Sequence, residues 1–80
     1  MAKVNFPDSF LSFSGGIREY ETHVTIYRDL ELELKEKFPG IESELDKSSL
    51  ALDGQNYQDK YLEEFGKASE IFFIPRIEGG

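Results

Sequence analysis

The chain has 80 residues, a net charge of −7, 39% apolar residues and no cysteine. Eighty residues make one domain with one small core. The acidic balance argues against nucleic acid and anionic membranes, which call for clustered Lys and Arg. The absence of cysteine excludes a disulfide framework, thiolate nucleophiles and Cys-ligated metals.

Val4 and Phe6 alternate with Lys3 and Asn5, which predicts a first strand ending at Pro7. Phe10, Leu11 and Phe13 follow in a connection, with Ser14-Gly15-Gly16 as a turn. Ile17 to Val24 reads as a second strand, with Tyr20, Thr22 and Val24 on one face and Glu19, Glu21 and His23 on the other. Thr25 is the expected N-cap of a helix over residues 26–38, in which Ile26, Leu30, Leu34 and Phe38 form one apolar stripe. Leu32 falls off that stripe, and Pro39-Gly40 stops the helix. Ile41 and Leu45 suggest a further helical turn.

Ser49 to Leu52 predicts a short strand, Asp53-Gly54 a turn, and Gln55 to Tyr57 a return strand. Tyr61, Leu62 and Phe65 suggest one helical turn closed by Gly66. Glu70 to Ile74 is the clearest strand, ended by Pro75 and followed by residues 76–80 as a tail. The expected organisation is a domain over 1–75 and a flexible Gly-Gly tail over 76–80.

This order of elements predicts an α+β fold of the β-grasp (ubiquitin-like) type. A mixed sheet of four to five strands carries one main helix, with the first and last strands adjacent at its centre. A central last strand accounts for a run, Ile71 to Ile74, that is apolar on both faces. One face meets the helix stripe. The other is either exposed as a partner surface, with Phe72, Ile74 and Ile77 as contacts, or covered by Phe10, Leu11 or Phe13. Arg76 and Glu78 offer charge pairs beside it.

Ordinary enzyme signatures are missing. The single histidine, His23, reads as a strand-face residue, and Gly15-Gly16 lacks the GK[ST] element of a phosphate loop. Asp29, Glu31 and Glu33 do not make a calcium loop. The terminus stands out. Two final glycines arise by chance in roughly 0.5% of chains at ordinary glycine usage. Without side chains, Gly79-Gly80 can thread a narrow channel, and ATP can activate the terminal carboxylate as an acyl-adenylate that a sulfur nucleophile then displaces.

Several stretches together resemble the MoaD/ThiS family of sulfur carriers, most of all the small subunit of molybdopterin synthase. They are Phe13-Ser14-Gly15-Gly16 with the alternating Arg18 to Glu21, the helix ending in Phe38-Pro39-Gly40, Leu52-Asp53-Gly54, and Ser69 through Ile74-Pro75 to Gly79-Gly80. The family's usual Pro-Pro-Val-x-Gly-Gly ending is here Pro75-Arg76-Ile77-Glu78-Gly79-Gly80. The resemblance implies an E1-like adenylating partner that uses ATP, no cofactor bound by the chain itself, and Gly80 as the site of adenylate and thiocarboxylate. Gly79 gives clearance, and a large synthase subunit receives the tail. Arg76 joins Phe72, Ile74 and Ile77 as expected contacts. A thiamin-type carrier, a protein modifier joined through Gly80 and a plain binding module are the alternatives. With no basic segment before a long apolar run, a cytoplasmic location is expected.

Overall fold

The computed structural model describes residues 1–57, 60–66 and 69–75. The chain begins with β1 (Ala2–Asn5), a 3-10 turn over Asp8–Phe10 and a one-turn helix α1 (Leu11–Ser14), then β2 (Glu19–Thr22). The main helix α2 (Tyr27–Lys37) and the short α3 (Glu42–Asp46) follow. Three strands complete the order: β3 (Ser48–Leu52), β4 (Gln55–Tyr57) and β5 (Glu70–Pro75). The sheet runs β2-β1-β5-β3-β4, so β5 is central; it pairs parallel with β1 and antiparallel with β3. This is the expected β-grasp sheet with its helix.

The core lies between α2 and one face of the sheet. Leu30 and Leu34 of the predicted stripe are fully buried, and Ile26 and Phe38 are half-buried at its ends. Leu32 stands in solvent, as its position off the stripe requires. An aromatic group centres on Phe73, whose ring lies 5.1 Å from Phe10 and 6.1 Å from Tyr27. Phe6 joins it between Phe10 and Phe38, each 5.8 Å away. Burying each such ring stabilises by about 1.5–3 kcal/mol. Phe13 packs at the exit of α2, where a side chain on Gly40 would meet its ring at 3.4 Å. Gly40 also has φ +94°, so the Pro39-Gly40 stop rests on both conformation and space.

Three expectations need correction. Thr25 does not cap α2; the flanking residue is Ile26, and no side chain caps the helix. Instead the Tyr27 amide donates to the Glu63 carbonyl at 2.8 Å, and the Phe65 amide donates to the Thr25 carbonyl at 2.9 Å around an antiparallel Ile26–Glu64 bridge. A distant backbone segment thus satisfies the orphan donor that a local hydroxyl was expected to take. Residues 61–65 form no helix: one turn closes where the Glu63 amide donates to the Lys60 carbonyl at 3.0 Å, after which the Glu63 carbonyl and Phe65 amide are committed to α2's entrance, with Phe65 buried and Tyr61 and Leu62 exposed. β1 and β2 are also shorter than expected: after Phe6, whose amide still donates to the Arg18 carbonyl at 2.8 Å, the chain turns at Pro7 into the 3-10 turn.

Two polar clips tie the layers. The Tyr20 hydroxyl and the buried Thr22 hydroxyl each donate to one oxygen of the Glu33 carboxylate, at 2.7 and 2.6 Å, joining β2 to α2. Burial, then the Glu33 bond, pushes the Tyr20 pKa well above its ordinary value. At the other end of the sheet, Asp53 and Gly54 both have positive φ (48° and 92°), the pattern of a two-residue I′ hairpin turn. The Asp53 carboxylate accepts from the Glu70 amide and the Ser69 hydroxyl, both at 3.1 Å, pinning this turn to the start of β5.

Candidate functional site

Strand alternation gives β5 two sides. Ile71 and Phe73 point into the core, 0% and 3% exposed, whereas Phe72 and Ile74 are 44% and 41% exposed. The alternative cover from Phe10, Leu11 or Phe13 is absent, because those residues lie on the helix side, packed in or against the core with Phe73. Among the described residues nothing shields the far face of the sheet at Phe72 and Ile74. Five of the residues predicted to matter lie outside the described part of the chain: Arg76, Ile77, Glu78, Gly79 and Gly80.

Register sets what surrounds the exposed pair. Phe72 has Asn5 on one side and Ala51 on the other, and Ile74 lies beside Ser49. Ala51 and Ser49 are small and buried, so Phe72 and Ile74 rise above their β3 neighbours. The Asn5 amide donates to the Ile71 carbonyl at 3.1 Å, fixing the β1 side. Toward the start of β5 the face turns polar: Lys3 lies between Glu21 and Glu70 in register and contacts Glu19 at 2.6 Å and Glu70 at 3.7 Å. These carboxylates, Glu19 foremost, hold the Lys3 ammonium above its usual pKa.

The exit of β5 shares an end of the sheet with the close of β1 and the start of β3, because β5 is parallel to one and antiparallel to the other. Five residues follow Pro75. A stretch of that length reaches at most about 17 Å beyond the sheet. The described residues hold no cluster of His, Cys, Asp and Glu suited to a metal, and no helix among them is long and apolar enough to cross a membrane. His23 is exposed but lies one residue past the end of β2, so it is not on the strand face where the alternation placed it.

Sequence reasoning missed Tyr27. It is fully buried beside the stripe, its hydroxyl has no hydrogen-bond partner among the described residues, and Lys60 Nζ sits 5.4 Å from its ring centre. Lys60, just past the end of β4, also donates to the Ser48 carbonyl at 2.9 Å. The signal is present, since Tyr27, Leu30 and Leu34 stand at i, i+3 and i+7, but a stripe counted from Ile26 in steps of four passes over it.

No family model matches the chain, and no curated protein matches it. Solved structures do. The BexX/CysO complex of Amycolatopsis orientalis contains a chain that superimposes with a TM-score of 0.85 at 13% identity over 100% of both chains. A protein described as molybdopterin converting factor subunit 1 from Pyrococcus furiosus gives 0.77 at 20% identity, covering 95% of this chain and 97% of that one. Small archaeal modifier protein 1 from Methanosarcina acetivorans gives 0.76 at 17% identity, over 99% and 95%. At such identities the likeness establishes architecture: over nearly its whole length the chain shares the fold of these three structures, with the β-grasp sheet and helix described above.

Proposed function

We propose that the chain is a sulfur carrier that works through its terminal carboxylate. In this reading an E1-like enzyme uses ATP to convert the Gly80 carboxylate to an acyl-adenylate, releasing pyrophosphate. A hydrosulfide-level nucleophile then attacks the acyl carbon, AMP leaves with the bonding electrons, and a thiocarboxylate remains. Gly79 provides clearance in the partner's channel, and the domain binds no cofactor of its own. The favoured destination of the sulfur is molybdopterin biosynthesis, with a large synthase subunit as acceptor and Phe72, Ile74, Arg76 and Ile77 as contacts.

The observation that carries the reading is the placement of β5. The central strand of a β-grasp sheet bears an open apolar pair and is followed by only five residues ending in Gly79-Gly80. Similarity to a CysO-containing complex and to a molybdopterin converting factor subunit supports it. The test is incubation with the E1-like enzyme from the same source, MgATP and sulfide, followed by mass spectrometry of the C-terminal peptide. Replacement of one oxygen by sulfur is expected, and deletion of Gly80 should abolish it while leaving the circular dichroism unchanged. An unaltered C-terminal peptide in the wild-type protein would overturn the reading.

Likeness to the archaeal modifier proteins favours a second reading, conjugation through Gly80 to lysines of other proteins after the same activation. Adducts on a denaturing gel that disappear with Gly80 deleted would select it. A thiamin-type carrier would load the same sulfur but pass it to a thiazole-forming enzyme, and a plain binding module would tolerate loss of the tail.

A further inference from the structure

The open face has two ends of different chemistry. Where β5 leaves the sheet, Phe72 and Ile74 stand exposed over small neighbours. Where β5 begins, Glu21 and Glu70 flank a single cation, Lys3, in register; Glu19, level with Phe72 across Asn5, reaches back to Lys3, which is thus paired with Glu19 and Glu70. Glu70 and Ile74 are four positions apart, roughly 13 Å along the strand. The acidic end therefore lies behind the apolar pair as seen from the tail.

We infer that this face docks on a folded protein surface whose apolar recess receives Phe72 and Ile74 and whose Arg or Lys side chains meet Glu21 and Glu70, on the side of the recess remote from the tail channel, and Glu19 at its flank. The inference rests on the sulfur-carrier reading for its first partner, the adenylating enzyme. Charge complementarity selects this occupant. A second copy of the chain would set carboxylates against carboxylates, or against the apolar pair, depending on the direction of the two-fold axis. Burying an unpaired carboxylate against apolar groups is costly. Anionic lipid and nucleic acid are repelled by the same three groups. Basic side chains on the partner compensate the acidic end, while the apolar pair supplies most of the affinity and the charges govern approach and orientation.

The experiment is ATP–pyrophosphate exchange by the E1-like enzyme from the same source, with carrier concentration and salt varied. Glu21→Lys combined with Glu70→Lys should raise the KM for the carrier about 10-fold at low ionic strength with kcat unchanged. In about 1 M salt, where charges are screened beyond ~3 Å, that difference should shrink to less than about twofold. Phe72→Ala should raise KM about 10-fold at both salt concentrations. A control pair on the helical side, Glu36→Lys with Glu42→Lys, alters net charge equally and should leave KM within about twofold, because those residues lie off the face. Wild-type exchange combined with unshifted KM in the face variants overturns the inference and spares the carrier reading. An equal shift in the control pair, or a wild-type dimer in sedimentation that Phe72→Asp dissolves, also overturns it. Absence of exchange with the wild type removes the carrier reading and this inference with it.

Discussion

The two sides of β5 differ by one residue in register and by nearly everything in environment. Ile71 and Phe73 are sealed beneath α2; Phe72 and Ile74, of the same chemical types, face outward. Folding needs only the first pair. The second pair is an expense the fold does not require, since polar residues in those positions would serve an exposed strand face equally well. The contrast shows that an apolar run on a central strand carries two separate demands, one from the core and one from outside the chain.

The sharpest way to break this contrast is to truncate one ring at a time. Phe73→Ala should lose about 3–5 kcal/mol of stability, measured by urea unfolding, because the cavity would open among Phe6, Phe10 and Tyr27. Phe72→Ala should change stability by no more than about 0.5 kcal/mol. Comparable losses from both would mean that the outward face is held by contacts within the chain. Next in size, Glu33→Ala strands the buried Thr22 hydroxyl and the Tyr20 hydroxyl and should cost about 1–3 kcal/mol.

Tyr27 and Tyr20 sharpen the comparison on the covered side through pH. Burial raises the pKa of both, with Glu31 and Asp46 adding for Tyr27 and Glu33 for Tyr20. An acid whose folded pKa lies above its unfolded value, about 10 for tyrosine, binds its proton more tightly when folded. Its contribution is complete below pH 10 and is lost as pH rises through the folded pKa. Stability measured by denaturant should therefore be flat from neutral pH to about 9 and fall steeply above about 10. Tyr27→Phe should weaken that alkaline loss and, by removing an unpartnered buried hydroxyl, raise neutral-pH stability by about 1 kcal/mol. The smallest effect is expected on the open side. Lys3→Gln should leave the melting temperature unchanged in high salt, since its ion pairs are exposed.

Much of the architecture is legible in the sequence because local rules agree with the global fold. The Leu30-Leu34 spacing, the Pro39-Gly40 stop and the Asp53-Gly54 hairpin each carry their cause within a few residues. Thr25 misleads for the opposite reason. A good capping residue loses to backbone groups of Glu63 and Phe65, nearly forty positions away. The spacing around Tyr61 yields one turn closed by Glu63 on Lys60, but the next hydrogen bonds of that segment are made across the chain, to Thr25 and Tyr27. Asp53 is legible as a turn residue but not as the acceptor that fixes Ser69 and Glu70. The candidate face is half legible: alternation separates Phe72 and Ile74 from Phe73, but only the position of Phe10 and Phe13 on the helix side decides which pair stays open.

The parallel pairing of β1 with β5 joins residues 3–5 to residues 70–72. Until the last strand exists, β1–β2 and β3–β4 are two separate hairpins with no shared edge. During synthesis the sheet cannot close while residues 70–75 remain inside the ribosomal tunnel, so the body of the protein should form only once β5 has emerged. A nascent chain stalled before Glu70 would present unpaired strand edges to chaperones and proteases, whereas a chain truncated after Pro75 would already possess its whole ladder.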